Sequence, residues 1–230
     1  MANTILPDIH MVMAFCFRGR VTYQESTGGQ VLPAAVLSGL RQSARLLEYD
    51  KQTSTLLVRF TEAGAAAFLP LSPAALFNQT ISVAEIAGHA QTTAWTEQLA
   101  MARDHKQRID IAERMLLSLI NERQADTLVG AAMEAIKQSA GTIRIKELAA
   151  SLYISQDPFE KRFRQVTGTS PKQFAEIVRL RSLIKEIASF KHLGDAAHAY
   201  GFFDQAHFIR SFKAFTGQAP KSFLRNARYW

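Results

Sequence analysis

The chain has 230 residues, of which 47% are hydrophobic and 20% charged, with a formal net charge of +7. A length above ~200 residues favours two domains, and this composition excludes a disordered chain. The single cysteine, Cys16, excludes an internal disulfide framework and a zinc site built from cysteines. No apolar run approaches the ~20 residues of a membrane span and no secretory signal is recognisable, so we expect a cytoplasmic protein.

The excess positive charge lies entirely in the second half of the chain. Residues 1–125 contain 11 Lys and Arg against 11 Asp and Glu, whereas residues 126–230 contain 16 against 9. A basic half beside a neutral one favours contact with a polyanion, because each bound phosphate releases counterions. A merely well-solvated basic surface would give the same counts.

The first sixty residues have the pattern of short strands. Apolar residues dominate residues 11–17 and 55–60, and the run Ser26-Thr27-Gly28-Gly29 predicts a turn. Strands without intervening helices predict an antiparallel sheet or barrel.

Helices are predicted from about residue 63 onward. Proline at position 73 after Ser72 predicts a helix start, and Ser82 with Glu85 predicts a capping box. Residues 95–123 predict one long helix. Its apolar positions are Ile109, Ala112, Leu116, Leu119 and Ile120. This face packs either on its own domain or on a second copy of the chain. The charged stretch 121–126 predicts a stiff boundary between one domain of residues 1–123 and another of residues 124–230.

The strongest signal in the sequence is an internal repeat. Residues 159–174 (FEKRFRQVTGTSPKQF) match residues 208–223 (FIRSFKAFTGQAPKSF) at an offset of 49. The matched pairs are Phe159 and Phe208, Lys161 and Arg210, Phe163 and Phe212, Arg164 and Lys213, Thr167-Gly168 and Thr216-Gly217, Pro171-Lys172 and Pro220-Lys221, and Phe174 and Phe223. The chain therefore contains two copies of one supersecondary unit.

Each copy has the pattern of a helix-turn-helix. Phenylalanines four residues apart share one helix face and predict its burial, and Gly168 or Gly217 predicts the helix end. Shorter helices are expected upstream, over residues 146–153 and 195–200. Their alanines, Ala149 and Ala197, are offset by 48 and place one extra residue in the second turn. We predict units at about residues 143–169 and 193–218, each with a second helix that enters the major groove.

These residues resemble the AraC family of transcriptional regulators over about residues 127–230. The second copy carries the resemblance through Ala197, Gly201-Phe202, Phe208, Arg210, Phe212-Lys213, Thr216-Gly217 and Pro220. The resemblance implies two units joined by a connecting helix, here about residues 171–190, with both recognition helices in successive major grooves. Its implied partners are double-stranded DNA and a second copy of the chain, with RNA polymerase and a small-molecule effector as further possibilities.

Side chains off the buried face, near the start of each recognition helix, are the expected readers of base edges. They are Gln156, Asp157, Glu160, Lys161 and Arg164 in the first unit and Gln205, Ala206, His207 and Arg210 in the second, with Ile209 beside them. Lys161 and Arg210 are the best candidates, because both can donate to the acceptors of guanine. Asp157 departs from the family pattern, and capping its helix is an alternative role for it.

Other cations are expected to contact phosphates and so orient the protein without reading sequence. They are Lys146, Lys172, Arg179, Arg181, Lys213 and Lys221. A solvated side chain is the alternative for each.

The first half resembles a cupin-like domain, on the segment Leu6-Pro7-Asp8 that opens a strand, residues 58–60 and residues 70–86. More strand usually precedes the first of these segments, so a barrel that is incomplete or completed by another chain is predicted. The histidines are scattered and predict no metal site or other cofactor. They are His10, His89, His105, His192, His198 and His207.

The sequence thus predicts an α+β protein, with a cupin-like antiparallel β domain followed by an all-α domain of two helix-turn-helix units. The predicted function is sequence-specific transcriptional regulation. No phosphate loop or nucleophile elbow is visible, so we expect no enzyme. The alternative is a small-molecule-binding or enzymatic cupin whose basic helices serve only in assembly.

Overall fold

The computed structural model describes residues 1–25, 28–61, 64–69, 72–120 and 126–225. Its strands are β1 (Ala2–Ile5), β2 (Val12–Arg18), β3 (Val21–Glu25), β4 (Gly28–Val31), β5 (Ala35–Ser38), β6 (Arg45–Tyr49), β7 (Ser54–Arg59) and β8 (Thr80–Ser82). Its helices are α1 (Ala65–Phe68), α2 (Ala84–Ala87), α3 (His89–Met101), α4 (His105–Leu119), α5 (Thr127–Gln138), α6 (Ile145–Ser151), α7 (Gln156–Thr167), α8 (Pro171–Glu186), α9 (Leu193–Ala199), α10 (Gln205–Thr216) and α11 (Pro220–Arg225). Two short 3-10 helices lie at Pro73–Leu76 and Ile187–Ser189.

The strands form two antiparallel sheets, with orders β1-β6-β3-β4 and β7-β2-β5-β8. The second sheet is covered on both faces. Along β2, Met13 and Phe15 are almost fully buried in the core, whereas Val12, Ala14 and Cys16 face a cavity shared with the first sheet. Because successive strand residues point to opposite faces of a sheet, β2 contributes side chains both to the core and to the cavity. The α+β prediction is confirmed, with antiparallel strands first and helices afterwards.

Several local predictions are confirmed and others are wrong. The expected strands at residues 11–17 and 55–60 are β2 and β7, and Glu85 accepts from the Ser82 amide as in a capping box. Gly28 and Gly29 lie in β4 instead of a turn, and Ser26 and Thr27 lie outside the described residues. Leu6-Pro7-Asp8 follows β1 instead of opening a strand, in keeping with the amide hydrogen that Pro7 lacks.

The single long helix predicted for residues 95–123 is also wrong. The chain breaks between α3 and α4, where Asp104 adopts extended backbone and its carboxylate accepts from the Gln107 amide at 2.8 Å. An Asp at this position starts a new helix because it satisfies an amide that has no helical partner. The predicted boundary at residues 121–126 lies outside the described residues except for Asp126, so the division into domains stays a prediction.

One hydrophobic core joins the strands to the first helix-turn-helix unit. It runs without interruption from Met13 and Phe15 of β2, through Trp95, to Phe159 and Phe163 of α7. A second core lies around Phe208 and Phe212 of α10 and includes Leu6 from the segment after β1. The two copies of the repeat therefore belong to different cores.

Three further contacts join residues of the first half of the chain to the helices of the basic half. The backbone of Gly168 comes so close to the 3-10 helix at residues 73–76 that an added Cβ would lie 2.5 Å from the Pro73 carbonyl oxygen. The Arg181 guanidinium on α8 donates to the Pro7 carbonyl at 3.0 Å and lies 3.4 Å from the Asp8 carboxylate. The Ala44 amide donates to the Phe215 carbonyl at the end of α10, at 2.9 Å.

Candidate nucleic-acid interface

The first unit consists of α6, a short turn and α7. Phe159 and Phe163 are fully buried, with ring centroids 5.8 Å apart in an edge-to-face arrangement. Such pairs stabilise a helix against its neighbours beyond the area they bury. The helix ends at Gly168, whose φ of 84° lies in the left-handed region, as the repeat predicts.

The second unit, α9 to α10, repeats this construction. Phe208 and Phe212 are fully buried at 5.5 Å, and α10 ends at Gly217 with a φ of 78°. The two units also share individual side-chain hydrogen bonds. Thr167 donates to the carbonyls of Phe163 and Thr169, and Thr216 donates to those of Phe212 and Gln218.

The turns of the two units differ by one residue, as the shift from 49 to 48 predicts. The Ile154 amide donates to the Ala149 carbonyl, and the Phe202 amide donates to the Ala197 carbonyl. The next matched pair is the residue that precedes each recognition helix, Ser155 and Asp204. The extra residue is therefore Phe203, which is 92% exposed.

The predicted base-reading residues lie along α7 and α10, and most of them are exposed. Gln156, Asp157, Lys161, Arg164, Gln205, Ala206, Ile209 and Arg210 are exposed, and Glu160 and His207 are half-buried. Lys161 and Arg210 occupy the same position of the two copies, outside the phenylalanine face. Gln156 donates to Glu160 at 2.9 Å, so these two side chains pair with each other in the free protein.

The starts of the two recognition helices differ in how they are capped. Asp157 lies within α7, whose N-cap is Ser155 without a side-chain hydrogen bond, so the alternative role of Asp157 as a cap is wrong. In the second unit Asp204 is the N-cap and accepts from the His207 amide at 2.6 Å. The ring of His207 packs edge to face on Phe202, with centroids 5.4 Å apart. Packing and cap together fix the start of α10.

The residues predicted to contact phosphates fall into two groups. Lys146, Lys172, Lys213 and Lys221 are exposed. Arg181 differs from the prediction, because its side chain is only 18% exposed and faces Asp8 and Pro7. We assign it to the contact between the two halves. Arg179 is half-buried, with its guanidinium carbon 4.3 Å from the centroid of the Phe202 ring.

An ion pair holds α7 against the start of α5. The Arg162 guanidinium lies 2.5 Å from the Asp126 carboxylate, which also accepts from the Val129 amide as the N-cap of α5. Burial raises the pKa of Asp126, but the hydrogen bonds from Arg162 and the backbone outweigh it, so the pKa is lowered overall. The carboxylate therefore stays charged at neutral pH.

Sequence reasoning missed a cavity of about 200 Å³ between the two sheets. Most of its lining is apolar, and the charged residues in the lining are Asp8, Arg41 and Arg45. Arg45 is 9% exposed and donates to the Thr80 hydroxyl at 2.7 Å and the Ser38 hydroxyl at 3.3 Å. Burial, followed by the nearby Arg41 charge, lowers the pKa of Arg45 to about 10. The alternation of β6, Arg-Leu-Leu-Glu-Tyr, places Arg45 on the inner face, but no sequence signal pairs it with Ser38 and Thr80.

Within the described ranges, no group of three His, Cys, Asp or Glu side chains has the arrangement of a metal site. The helices in those ranges are also too short or too polar to cross a membrane.

A family model and several known proteins are similar to parts of this chain. A family model described as a helix-turn-helix domain matches residues 148–226. The chain is 29% identical over 107 residues to YidL, an HTH-type transcriptional regulator of Escherichia coli, covering 45% of this chain and 34% of YidL. It is 25% identical over 154 residues to the Msm operon regulatory protein of Streptococcus mutans, covering 65% of this chain and 55% of that protein. The chain thus spans about a third and about half of the length of these relatives.

Two solved structures are similar in outline. ToxT of Vibrio cholerae aligns over 98% of this chain and 96% of its own, with a TM-score of 0.49 and 11% identity. The C-terminal domain of AraT, a response regulator from Geobacillus stearothermophilus, aligns over 46% of this chain and 89% of its own, with a TM-score of 0.42 and 19% identity. The family match confirms the predicted helix-turn-helix pattern over residues 148–226. Both relatives are regulatory proteins.

Proposed function

We propose that this chain, with its AraC-type helix-turn-helix domain, is a sequence-specific DNA-binding transcriptional regulator that acts in the cytoplasm and catalyses no reaction. The observation that supports the proposal is the duplicated unit, which presents Lys161 and Arg210 at matching exposed positions of two recognition helices. The two helices enter successive major grooves on one face of the duplex, ~34 Å apart. RNA polymerase is the further partner that such a regulator would contact at a promoter.

Selection of bound fragments from a random DNA pool tests this proposal. We expect the purified protein to enrich two short sequence elements about one helical turn apart, at a stated salt concentration because affinity depends steeply on it. A pool without enriched elements would contradict sequence-specific binding.

Base reading and phosphate contact are distinguishable by mutation. We expect Arg210→Ala to weaken binding of the selected site by roughly 1 to 3 kcal/mol and to relax preference at one base pair. Lys172→Ala should weaken selected and random DNA alike, because phosphates carry no sequence information. Dissociation constants on both DNAs measure the difference. Equal losses on both DNAs for Arg210→Ala would refute its role as a base reader.

We also propose that the regulator is a homodimer in which the exposed face of α4 meets a second copy of the chain. Supporting this, Ile109 and Leu117 of α4 are 55% and 64% exposed, and Ile120 beyond it is 57% exposed. Leu117→Glu should shift the protein to folded monomers in sedimentation, and the melting temperature of this variant should no longer depend on protein concentration. Ser118→Glu on the same helix is the control. A dimer that persists in Leu117→Glu would place the interface elsewhere.

We further propose that the cavity in the β half binds an effector, a small amphipathic anion whose acidic group is bound by Arg45. Among the described residues, Arg45 donates only to neutral hydroxyls, and its buried positive charge lowers stability unless an anion joins it. By contrast, Asp8, which also lines the cavity, lies close to Arg181 and Arg59.

The rest of the cavity suits a hydrocarbon body. Val12, Ala14, Val36, Leu47 and Leu57 line it from both sheets. A ligand with one acidic end and an apolar remainder would satisfy Arg45 and keep the apolar wall dry.

Octanoate is a suitable probe for this cavity. We expect it to raise the melting temperature of the native protein, because a ligand of the folded state stabilises it by mass action. Uncharged 1-octanol should have a much smaller effect. Arg45→Met should abolish the response to octanoate while leaving the unfolding free energy unchanged or higher, since it removes a buried charge.

Arg20→Met, which removes an exposed arginine from the same half, is the matched control and should respond like the native protein. An equal response to octanol and octanoate, or a response that survives in Arg45→Met, would contradict the proposed anion site.

A further inference from the structure

A second cleft, of about 660 Å³, lies where the two helix-turn-helix units meet. Residues 141–146, before and at the start of α6, form one side. Lys172, Ala175, Glu176 and Arg179 of α8 form the base, and His207 of α10 closes the other side. We call this the basic cleft. It is built from the first unit, the connecting helix and the second recognition helix together.

The charge of the basic cleft is strongly positive. Its cations are Arg144, Lys146, Lys172 and Arg179, with His207 beside them, against the single carboxylate of Glu176 in the lining. Glu147 lies outside the lining and pairs with Arg144 at 3.2 Å. An excess of cations in a concave site raises the local concentration of anions.

Arg179 is the buried member of this set. Its guanidinium stacks on Phe202, which is 4% exposed, and its Nε atom is buried without a hydrogen-bond partner in the described structure. Burial lowers the pKa of Arg179, and the charge of Glu176 opposes that effect, yet the described residues provide no ion pair within 4 Å. A half-buried cation in this state gains from an anion that approaches it.

The shape of the basic cleft is fixed by close backbone packing. Gly141 has a φ of 76°, and an added Cβ would lie 2.2 Å from the Ala175 carbonyl oxygen and 2.7 Å from the Arg179 amide. The loop before α6 therefore lies directly against α8. Phe202 contacts both Arg179 and His207, which connects the same helix to the start of α10.

We infer that the basic cleft binds a phosphate of the DNA backbone, on the stretch of strand that crosses between the two major grooves. This inference rests on the proposed function, because it places the cleft between two recognition helices on the same duplex. The cleft would then fix the spacing of the two units on DNA through one shared contact. Arg179 would act on both units, unlike the exposed lysines of either one.

The test uses the DNA site obtained by selection, with single methylphosphonate linkages placed one at a time between its two elements. A methylphosphonate removes one backbone charge without changing the bases. We expect one or two adjacent linkages to weaken binding of the native protein about tenfold, as expected for a charge-assisted hydrogen bond. The same linkages should have a clearly smaller effect on Arg179→Met, in which the other cations of the basic cleft remain. The slope of log affinity against log salt concentration should decrease by about one phosphate for this variant.

Lys51→Met, which removes an exposed lysine from the β half, is the control and should behave like the native protein. If Arg179→Met lowers the melting temperature, Arg144→Met on the rim, where the side chain is 83% exposed, gives the same comparison without disturbing the interior. If the methylphosphonates weaken the DNA binding of Arg179→Met and Arg144→Met as much as they weaken that of the native protein, the inference is overturned. Failure of the native protein to select any site would instead overturn the proposed function.

Discussion

Replacing Phe163 by alanine is expected to lower the free energy of unfolding by about 3 to 5 kcal/mol, the usual cost of emptying a buried aromatic site. Phe163 is fully buried, and its ring meets Phe159 at 5.8 Å and Phe174 at 5.5 Å between centroids. It belongs to the core that continues into β2. Phe163→Ala should therefore destabilise strand β2 as well as the first unit. Hydrogen exchange of the β2 amides measures the local destabilisation, and denaturant unfolding measures the total loss of stability.

Phe212→Ala is the matched control in the second copy. Phe212 is equally buried and meets Phe208 and Phe223 at 5.5 and 5.2 Å, but its core contains no residue of β2. We expect Phe212→Ala to lower the local stability around α10 by a similar amount and to leave the amide hydrogen exchange of β2 unchanged. Equal effects of the two variants on β2 would contradict the separation of the cores.

Gly168→Ala should destabilise the protein by about 3 kcal/mol. Alanine costs roughly 1 to 2 kcal/mol in the left-handed conformation that Gly168 adopts. Its Cβ would also lie 2.5 Å from the Pro73 carbonyl oxygen, a backbone atom that cannot turn aside. Forcing the 3-10 helix away from α7 adds a packing cost of similar size.

Gly217→Ala separates these two causes. Gly217 has nearly the same φ, 78°, but an added Cβ would meet no atom within 4 Å. We expect only the conformational cost, about 1 to 2 kcal/mol. Chemical denaturation of both variants provides the comparison. If Gly168→Ala loses no more stability than Gly217→Ala, the 3-10 helix at Pro73 moves aside at little energetic cost.

The helix-turn-helix units were predictable from sequence because their determinants are local. Paired phenylalanines, a terminal glycine and a proline at the next helix start each act within a few residues, and duplication allows each copy to check the other. The offset of 48 between Ala149 and Ala197 even predicted one extra residue in the second turn, which the structure identifies as Phe203. The break between α3 and α4 was missed although its signal, Asp104, is local as well.

The contacts between the halves could not be predicted in this way. Arg181 and Asp8 are 173 positions apart, and nothing in either neighbourhood indicates that they meet. Without that contact, Arg181 looks like any other cation of a basic helix. Likewise, Arg45 is a buried cation bound to two hydroxyls only because β5 and β8 place Ser38 and Thr80 next to it. Long-range pairing decides the role of both arginines.

The continuous core between β2 and α7 bears on how the protein can be divided. A fragment that starts after residue 125 would keep Phe159 and Phe163 but lose Met13, Phe15 and Trp95, which share their core in the whole chain. Its first unit would then expose an apolar patch to water, while the second unit would keep most of its own packing. Such a truncated protein would be prone to self-association, and its two halves would differ in how readily they melt.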